Sequence, residues 1–200
     1  MKQLATAILF AALLAGCRTA PPVVPTDWPT ARAARQALAN WEMSGRAAVA
    51  TEKEGYNAGL RWIQQGNVSE AHLKGALGVG GIRVRAAGDA LEVETSKGER
   101  LSAEEAGPAL ERAVGVELPI SALRYWLLGV PIPDVDAQEE LDAQGRLKKL
   151  QQRGWIIEYD RYSQVAGSWV PGRTRLVNGP VRVRVIADRW SIPTKFLEDS

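Results

Sequence analysis

The spacing of apolar residues changes character along this chain, and each change marks a boundary. From Leu4 to Gly16 the run is continuous and uncharged, behind a lone Lys2, and it ends in small residues. At 13 residues it is too short to cross a hydrocarbon core of about 30 Å, so residues 1–16 read as a removable export signal. The next stretch, to Pro29, carries Pro21, Pro22, Pro25 and Pro29 and no periodic apolar face, which predicts an extended, semi-rigid tether over residues 17–29. The folded domain is expected over residues 30–200. Thr30 is placed to cap a helix over Ala31–Asn40, whose stripe is Ala33, Ala37, Leu38 and Trp41.

From Trp41 the period becomes two. Tyr56, Ala58, Leu60 and Trp62 alternate with Asn57, Gly59, Arg61 and Ile63, and the run Gly45–Thr51 leads into Glu52-Lys53-Glu54-Gly55, a hairpin connection. Val68–Lys74, Gly80–Arg85 and Leu91–Thr95 continue as short strands joined by Gly-containing turns. The middle differs. Ser102 and Glu105 form a capping box that opens a helix to about Val114, in which Pro108 predicts a kink or a short start. A second helix is expected from Pro119 or Ser121 to Leu128, ended by Gly129. Strands then resume as Arg146–Gln152 and Trp155–Tyr162 around Arg153-Gly154, and as Arg173–Val177 and Val181–Trp190 around Asn178-Gly179. Strands this short and evenly spaced predict a mostly β, α+β domain built on an antiparallel meander rather than βαβ units.

Charge and composition narrow the chemistry. The formal balance of +2 falls to about +1 without Lys2, so nothing indicates nucleic acid as a partner. His72 is the only histidine, which excludes a two-His metal site or a His-based triad within one chain. Gly78-Val79-Gly80-Gly81 leads into a strand rather than a helix and lacks a phosphate-loop lysine. The paired carboxylates Glu104-Glu105 and Glu139-Glu140 read as solvated faces. No cofactor, metal or catalytic set is expected, and an enzyme is not indicated. Cys17 is the only cysteine, and it follows Leu14-Ala15-Gly16 at the end of the signal. That placement reads as a lipoprotein signal, with Cys17 taking a diacylglyceryl group and becoming the new N-terminus. Arg18 follows it, not the Asp that commonly retains lipoproteins in the inner membrane, so delivery to the outer membrane is expected.

Several fragments, in order behind this anchor, resemble the LolB family of outer-membrane lipoprotein receptors. They are Ser44-Gly45-Arg46-Ala47-Ala48-Val49, Leu60-Arg61-Trp62-Ile63-Gln64-Gln65, Gly75-Ala76-Leu77-Gly78, Leu118-Pro119-Ile120-Ser121, Leu123-Arg124-Tyr125-Trp126-Leu127-Leu128-Gly129, Leu141-Asp142, Gly145-Arg146-Leu147, Gly154-Trp155-Ile156-Ile157-Glu158-Tyr159 and Ala187-Asp188-Arg189-Trp190. The resemblance implies an unclosed antiparallel β-barrel, a half-barrel, with helices as a lid over an apolar cavity. It implies a monomeric protein, anchored in the outer membrane at Cys17 on the periplasmic side. Its partners would be the periplasmic carrier LolA and acylated lipoprotein cargo, which it inserts into the inner leaflet. Leu60 and Trp62 are candidate cavity linings, and Trp126, Trp155 and Trp190 stand at matching family positions. Leu77 stands where the family projects an apolar residue into the membrane, with Ala76 in place of a frequent proline.

The need for such a protein follows from transfer energies. Burying acyl chains is worth about 0.8 kcal/mol per CH₂, so a triacylated cargo with about 40 such groups would lose roughly 30 kcal/mol in open water. Two other readings fit the sequence. One is an anchored structural or assembly protein of the outer membrane that binds protein rather than lipid. The other is the soluble carrier itself, against which Cys17 argues, because a carrier must diffuse.

Overall fold

The computed structural model describes residues 27–75, 80–88, 90–114 and 119–193. Helix α1 (Trp28–Gln36) begins before Thr30, because Asp27 caps it, its carboxylate accepting from the Thr30 N–H at 3.3 Å, and proline occupies the first turn. Its inward side also differs from the predicted stripe. Arg35 is the buried residue, with Trp28, Ala31 and Leu38 half-buried around it, while Ala33 and Ala37 face solvent. Arg35 lies over the Trp28 ring at 5.1 Å and donates through Nη1 to the Trp169 carbonyl at 2.7 Å, so its charged end supplies bonds that a hydrophobic stripe could not.

The strands are β1 (Asn40–Ala50), β2 (Gly55–Gln65), β3 (Val68–Gly75), β4 (Gly81–Ala87), β5 (Ala90–Thr95), β6 (Arg100–Leu101), β7 (Gln138–Leu141), β8 (Leu147–Gln152), β9 (Trp155–Asp160), β10 (Ser163–Val165), β11 (Ser168–Val170), β12 (Arg173–Asn178) and β13 (Val181–Ser191). Eleven of them form one antiparallel sheet in the order β6-β5-β4-β3-β2-β1-β13-β12-β9-β8-β7, and β10 and β11 make a separate hairpin. The predicted meander thus exists as two runs, β1 to β6 and β7 to β13, joined where β1 pairs with β13. The sheet is not closed into a barrel: β6 and β7 are its edges, and both are short, which limits pairing with another chain.

The β1–β13 seam is irregular. Ser44 opposes Arg189 while Gly45 opposes Ala187, so Asp188 is an inserted residue and β13 bulges. The bulge lets Ala187 and Trp190 both pack on the helix-covered side, which strict alternation would forbid. At the β12–β13 turn, Asn178 pairs with Val181, so the loop is Gly179-Pro180 rather than Asn178-Gly179. Gly179 has φ +54° and proline supplies the following negative φ, as a II′ turn requires. The short strands β6, β7, β10 and β11 carry too few residues to show a period.

Helix α2 (Ala103–Val114) starts as its capping box predicts: Glu105 accepts from the Ser102 N–H at 3.1 Å and from the Ser102 hydroxyl at 2.9 Å. It runs through Pro108 without a shortened start. Pro108 faces solvent. Helix α3 (Ile120–Trp126) ends at Gly129, φ +70°, where a Cβ would meet Pro171 Cγ at 2.9 Å and the Tyr162 hydroxyl at 3.0 Å.

A pH effect arises at the β7–β8 turn. Burial raises the Asp142 pKa, but the Arg146 side chain and the N–H groups of Arg146 and Gln144 outweigh it and hold the carboxyl below its ordinary value. A depressed folded pKa contributes stability that is present above the unfolded value, about 3.9, and lost as pH falls through the folded one. Asp142→Asn is therefore expected to unfold at lower urea than wild type at neutral pH, with the gap closing as pH falls below about 4. Urea titrations across that range check it.

Candidate functional site

The helix-covered face of the sheet carries two apolar patches. The first is built by Trp41 and Met43 of β1, Leu60 and Trp62 of β2, Ala71 of β3, Val84 of β4, Val93 of β5 and Val185 of β13, all buried. Alternation puts them on one side, and their registers bring them together: Met43 opposes Trp62, which opposes Ala71, which opposes Val84. The rings of Trp41 and Trp62 stack at 6.0 Å and 8°, and Trp190 lies against Trp41 at 5.4 Å. The second patch lies across β8, β9, β12 and β13 and comprises Leu147, Leu150, Trp155, Ile157, Tyr159, Leu176 and Val181.

Helix α3 and its C-terminal turn straddle both patches. Ala122 and Trp126 pack on the second, with Trp126 fully buried and 6.2 Å from Trp155. Leu127, Leu128 and Val130 pack on the first, beside Ala106 of α2 and Val170 of β11. The cover is therefore seated on the sheet by side chains. Gln152 holds its far end: Gln152 Oε1 accepts from Trp126 Nε1 and from the Ile132 N–H, both at 2.9 Å, while Nε2 donates to the carbonyls of Ile132 and Val135. This is a fully satisfied buried amide, and it ties the cover to β8.

The opposite face is charged. Arg61 pairs with Glu42 at 2.7 Å, Arg46 with Asp188 at 3.0 Å, and Arg175 with both Glu158 and Asp160 at 3.2 and 2.8 Å. The Arg61 guanidinium holds the Glu42 carboxyl below its usual range. A recess of about 330 Å³ there is lined mainly by Ala47, Ala48, Ala58, Gly59 and Ile186 between Arg46 and Arg184, and one of about 600 Å³ is lined by Glu70, Arg83, Arg85, Glu92 and Glu94. An acyl chain in the larger recess would leave its carboxylates and guanidinium groups desolvated. The large apolar clusters lie on the helix-covered face.

The structure gathers five of the predicted residues on that face, but in two places. Leu60, Trp62 and Trp190 belong to the first patch, and Trp126 and Trp155 to the second. Cys17, Ala76 and Leu77 lie outside the described residues. At the base of the segment that joins β3 to β4, the Gly75 N–H donates to the Gly80 carbonyl at 3.2 Å. Three of the four paired carboxylates hold structural bonds, Glu105 in the cap of α2, Glu139 from Trp28 Nε1 at 2.6 Å and Arg32 at 2.8 Å, and Glu140 from Lys148 at 2.7 Å, while Glu104 faces solvent. His72 is half-buried and bonded to Glu70 beside it on β3. Trp41 lies on β1 rather than on the stripe of the first helix, and Gln64, Gln152 and Arg35 join the site although the sequence pattern does not single them out. The one available signal for Trp41 was its two-residue spacing from Met43, which continues the strand period backwards.

Comparison with known proteins agrees with this architecture. The family described as Outer membrane lipoprotein LolB matches residues 39–190. An outer-membrane lipoprotein LolB of Nitrosococcus oceani is 34% identical over 186 residues, covering 90% of this chain and 92% of the relative. That of Alkalilimnicola ehrlichii is 34% identical, covering 95% and 97%, and that of Pseudomonas aeruginosa PAO1 is 32% identical, covering 82% and 80%. Among solved structures, a LolA superfamily protein from Nitrosomonas europaea superposes with a TM-score of 0.50 at 10% identity, covering 84% of this chain and 94% of its own. An outer membrane lipoprotein-sorting protein domain from Vibrio parahaemolyticus does so with a TM-score of 0.51 at 9% identity, covering 85% and 92%. These two establish the shared fold alone. By the extent of the family match and the identity of its relatives, the chain belongs to the LolB family of outer-membrane lipoproteins.

Proposed function

We propose that this protein receives acylated lipoproteins from the soluble carrier LolA, holds their acyl chains against the helix-covered face of its sheet, and passes them to the inner leaflet of the outer membrane. The observation that carries the reading is the cover itself: two apolar patches are closed mainly by a seven-residue helix and the turn behind it. Acyl chains and the side chains of Leu127, Leu128 and Val130 compete for one surface. Exchanging one apolar partner for another leaves the buried area nearly constant, so the roughly 0.8 kcal/mol per CH₂ that makes free transfer prohibitive does not oppose loading. Acceptance on this account requires α3 and its turn to lift, which breaks the Trp126–Gln152 hydrogen bond, and the bonds of Gln152 to Ile132 and Val135 mark where the segment stays attached. Transfer runs from carrier to receptor to bilayer down a series of increasing affinities, with no nucleotide. The acylated Cys17 would hold the domain beside the receiving membrane, and Leu77 would enter it.

The test is a two-stage assay, in which a loaded carrier donates a labelled lipoprotein to this protein and liposomes are then added. Transfer in both stages is expected. Failure to accept the cargo, with an apolar probe bound that a lipopeptide cannot displace, would favour an anchored assembly protein. Leu77→Glu is expected to accept cargo normally but to release it at least roughly tenfold more slowly, because a carboxylate enters a bilayer far less readily than leucine. Equal loss of both stages would remove Leu77 from membrane insertion.

A further inference from the structure

We propose that the Trp41 indole N–H receives an ester carbonyl of the cargo's diacylglyceryl group, making Trp41 a ligand-binding residue of the first patch; the inference rests on the lipid-accepting function proposed above. Trp41 is 3% exposed, and its Nε1 is buried with no hydrogen-bond partner among the described residues. Buried donors are nearly always satisfied, so this one calls for an explanation. Its aromatic neighbours differ: Trp62 donates to Gln64 Oε1 at 3.3 Å and Trp190 to the Pro171 carbonyl at 3.2 Å.

The natural partner for Trp41 is already spent. Gln64 stands directly across the β1–β2 ladder from it. Gln64 Oε1, however, accepts from both Trp62 Nε1 and the Ser69 hydroxyl, the latter at 2.7 Å, and Gln64 Nε2 donates to the Gly66 carbonyl at 3.0 Å. With both lone pairs of that oxygen in use, the patch holds a donor that the protein itself does not answer.

The missing group must be an acceptor, small, and attached to something apolar enough to enter a cluster of three indoles, Met43 and Leu128. An ester carbonyl at the head of an acyl chain meets all three conditions. A phosphate or an ammonium would bring a charge and a solvation cost that one indole cannot offset. Position agrees with this. Trp41 opens β1 and Gln64 closes β2, so the unanswered donor sits with Gln64 and Ser69 at one end of the sheet, and the apolar strip over Met43, Leu60 and Val185 continues from it. A carbonyl bonded at Trp41 would leave its chain free to lie along that strip.

The test compares a synthetic diacyl lipopeptide with ester-linked chains against its ether-linked counterpart, which lacks the carbonyls, using the full mature chain carrying Cys17→Ala and its Trp41→Phe variant. Wild type is expected to bind the ester ligand roughly five- to tenfold more tightly than the ether. Trp41→Phe, which keeps an aromatic ring and loses the donor, is expected to bind both as wild type binds the ether. A preference that survives in Trp41→Phe, or is missing in wild type, would overturn the inference while leaving the proposed function standing. If wild type binds neither ligand, the lipid-accepting reading fails and this inference with it. Should Trp41→Phe not fold, the indole N–H resonance of Trp41 in the ¹⁵N-labelled wild type decides: a downfield shift with the ester ligand and none with the ether supports it, and identical shifts contradict it.

Discussion

Gly45→Ala is expected to cost about 3–4 kcal/mol or more, lowering Tm by roughly 10 °C. The alanine Cβ would stand 2.0 Å from the Ile186 carbonyl oxygen, 3.0 Å from its carbon and 3.1 Å from the Ala187 Cα, all main-chain atoms. No rotamer change relieves a clash with backbone, so β1 and β13 must move apart where they join the two halves of the sheet. The movement would pull on Met43 on one side of the site and Val185 on the other, both buried in the first patch. Gly59→Ala is the control: its Cβ would meet only the Lys74 carbonyl oxygen, at 3.9 Å, and near-wild-type stability is expected. Thermal and urea unfolding of the pair measure the difference. If Gly45→Ala unfolds within about 0.5 kcal/mol of wild type, the close approach at the bulge is wrong.

Trp126→Ala carries the second large effect. The side chain is fully buried between Ala122, Leu147 and Trp155, and truncating it would leave an unfilled hole worth about 3–5 kcal/mol. It would also remove one of the two donors to Gln152 Oε1 and loosen the grip on the segment that follows α3. Trp126→Phe separates the two contributions: packing is largely kept and about 1 kcal/mol is expected for the lost hydrogen bond. Equilibrium urea unfolding of both variants checks the ratio. A cost for the alanine variant near that of the phenylalanine one would mean that the second patch does not close around Trp126.

Periodicity alone made most of the sheet legible, because a two-residue repeat with one buried face leaves a strong mark: β2 as Ala58-Leu60-Trp62, although Tyr56 of the same repeat is exposed, and β13 as Val181-Val183-Val185 are examples. Capping chemistry located α2 from Ser102 and Glu105. What escaped was the work of polar residues inside. The buried face of α1 turns on Arg35, which a hydrophobic pattern scores as outward, and burial, which lowers its pKa, is opposed by the nearby Tyr162 and Tyr159 hydroxyls. Gln152 takes its meaning from partners about 20 residues away, and Trp41 from its cross-strand place opposite Gln64, neither of which a local window contains. Four tryptophans of the candidate lining could be identified by resemblance, but their division into two patches under one helix depends on the order of strands. That order, with β13 beside β1, is the most non-local feature of the fold.

Acyl chains should occupy the face covered by α3 in the unloaded protein. Bromine quenches indole emission only at near contact, so a lipopeptide with brominated acyl chains, delivered by the carrier to wild type and to a Trp62→Phe variant, reads the site directly. Strong quenching of wild type on loading is predicted, with a clearly smaller loss in Trp62→Phe. Loading that leaves the emission of the buried tryptophans unquenched would contradict the account.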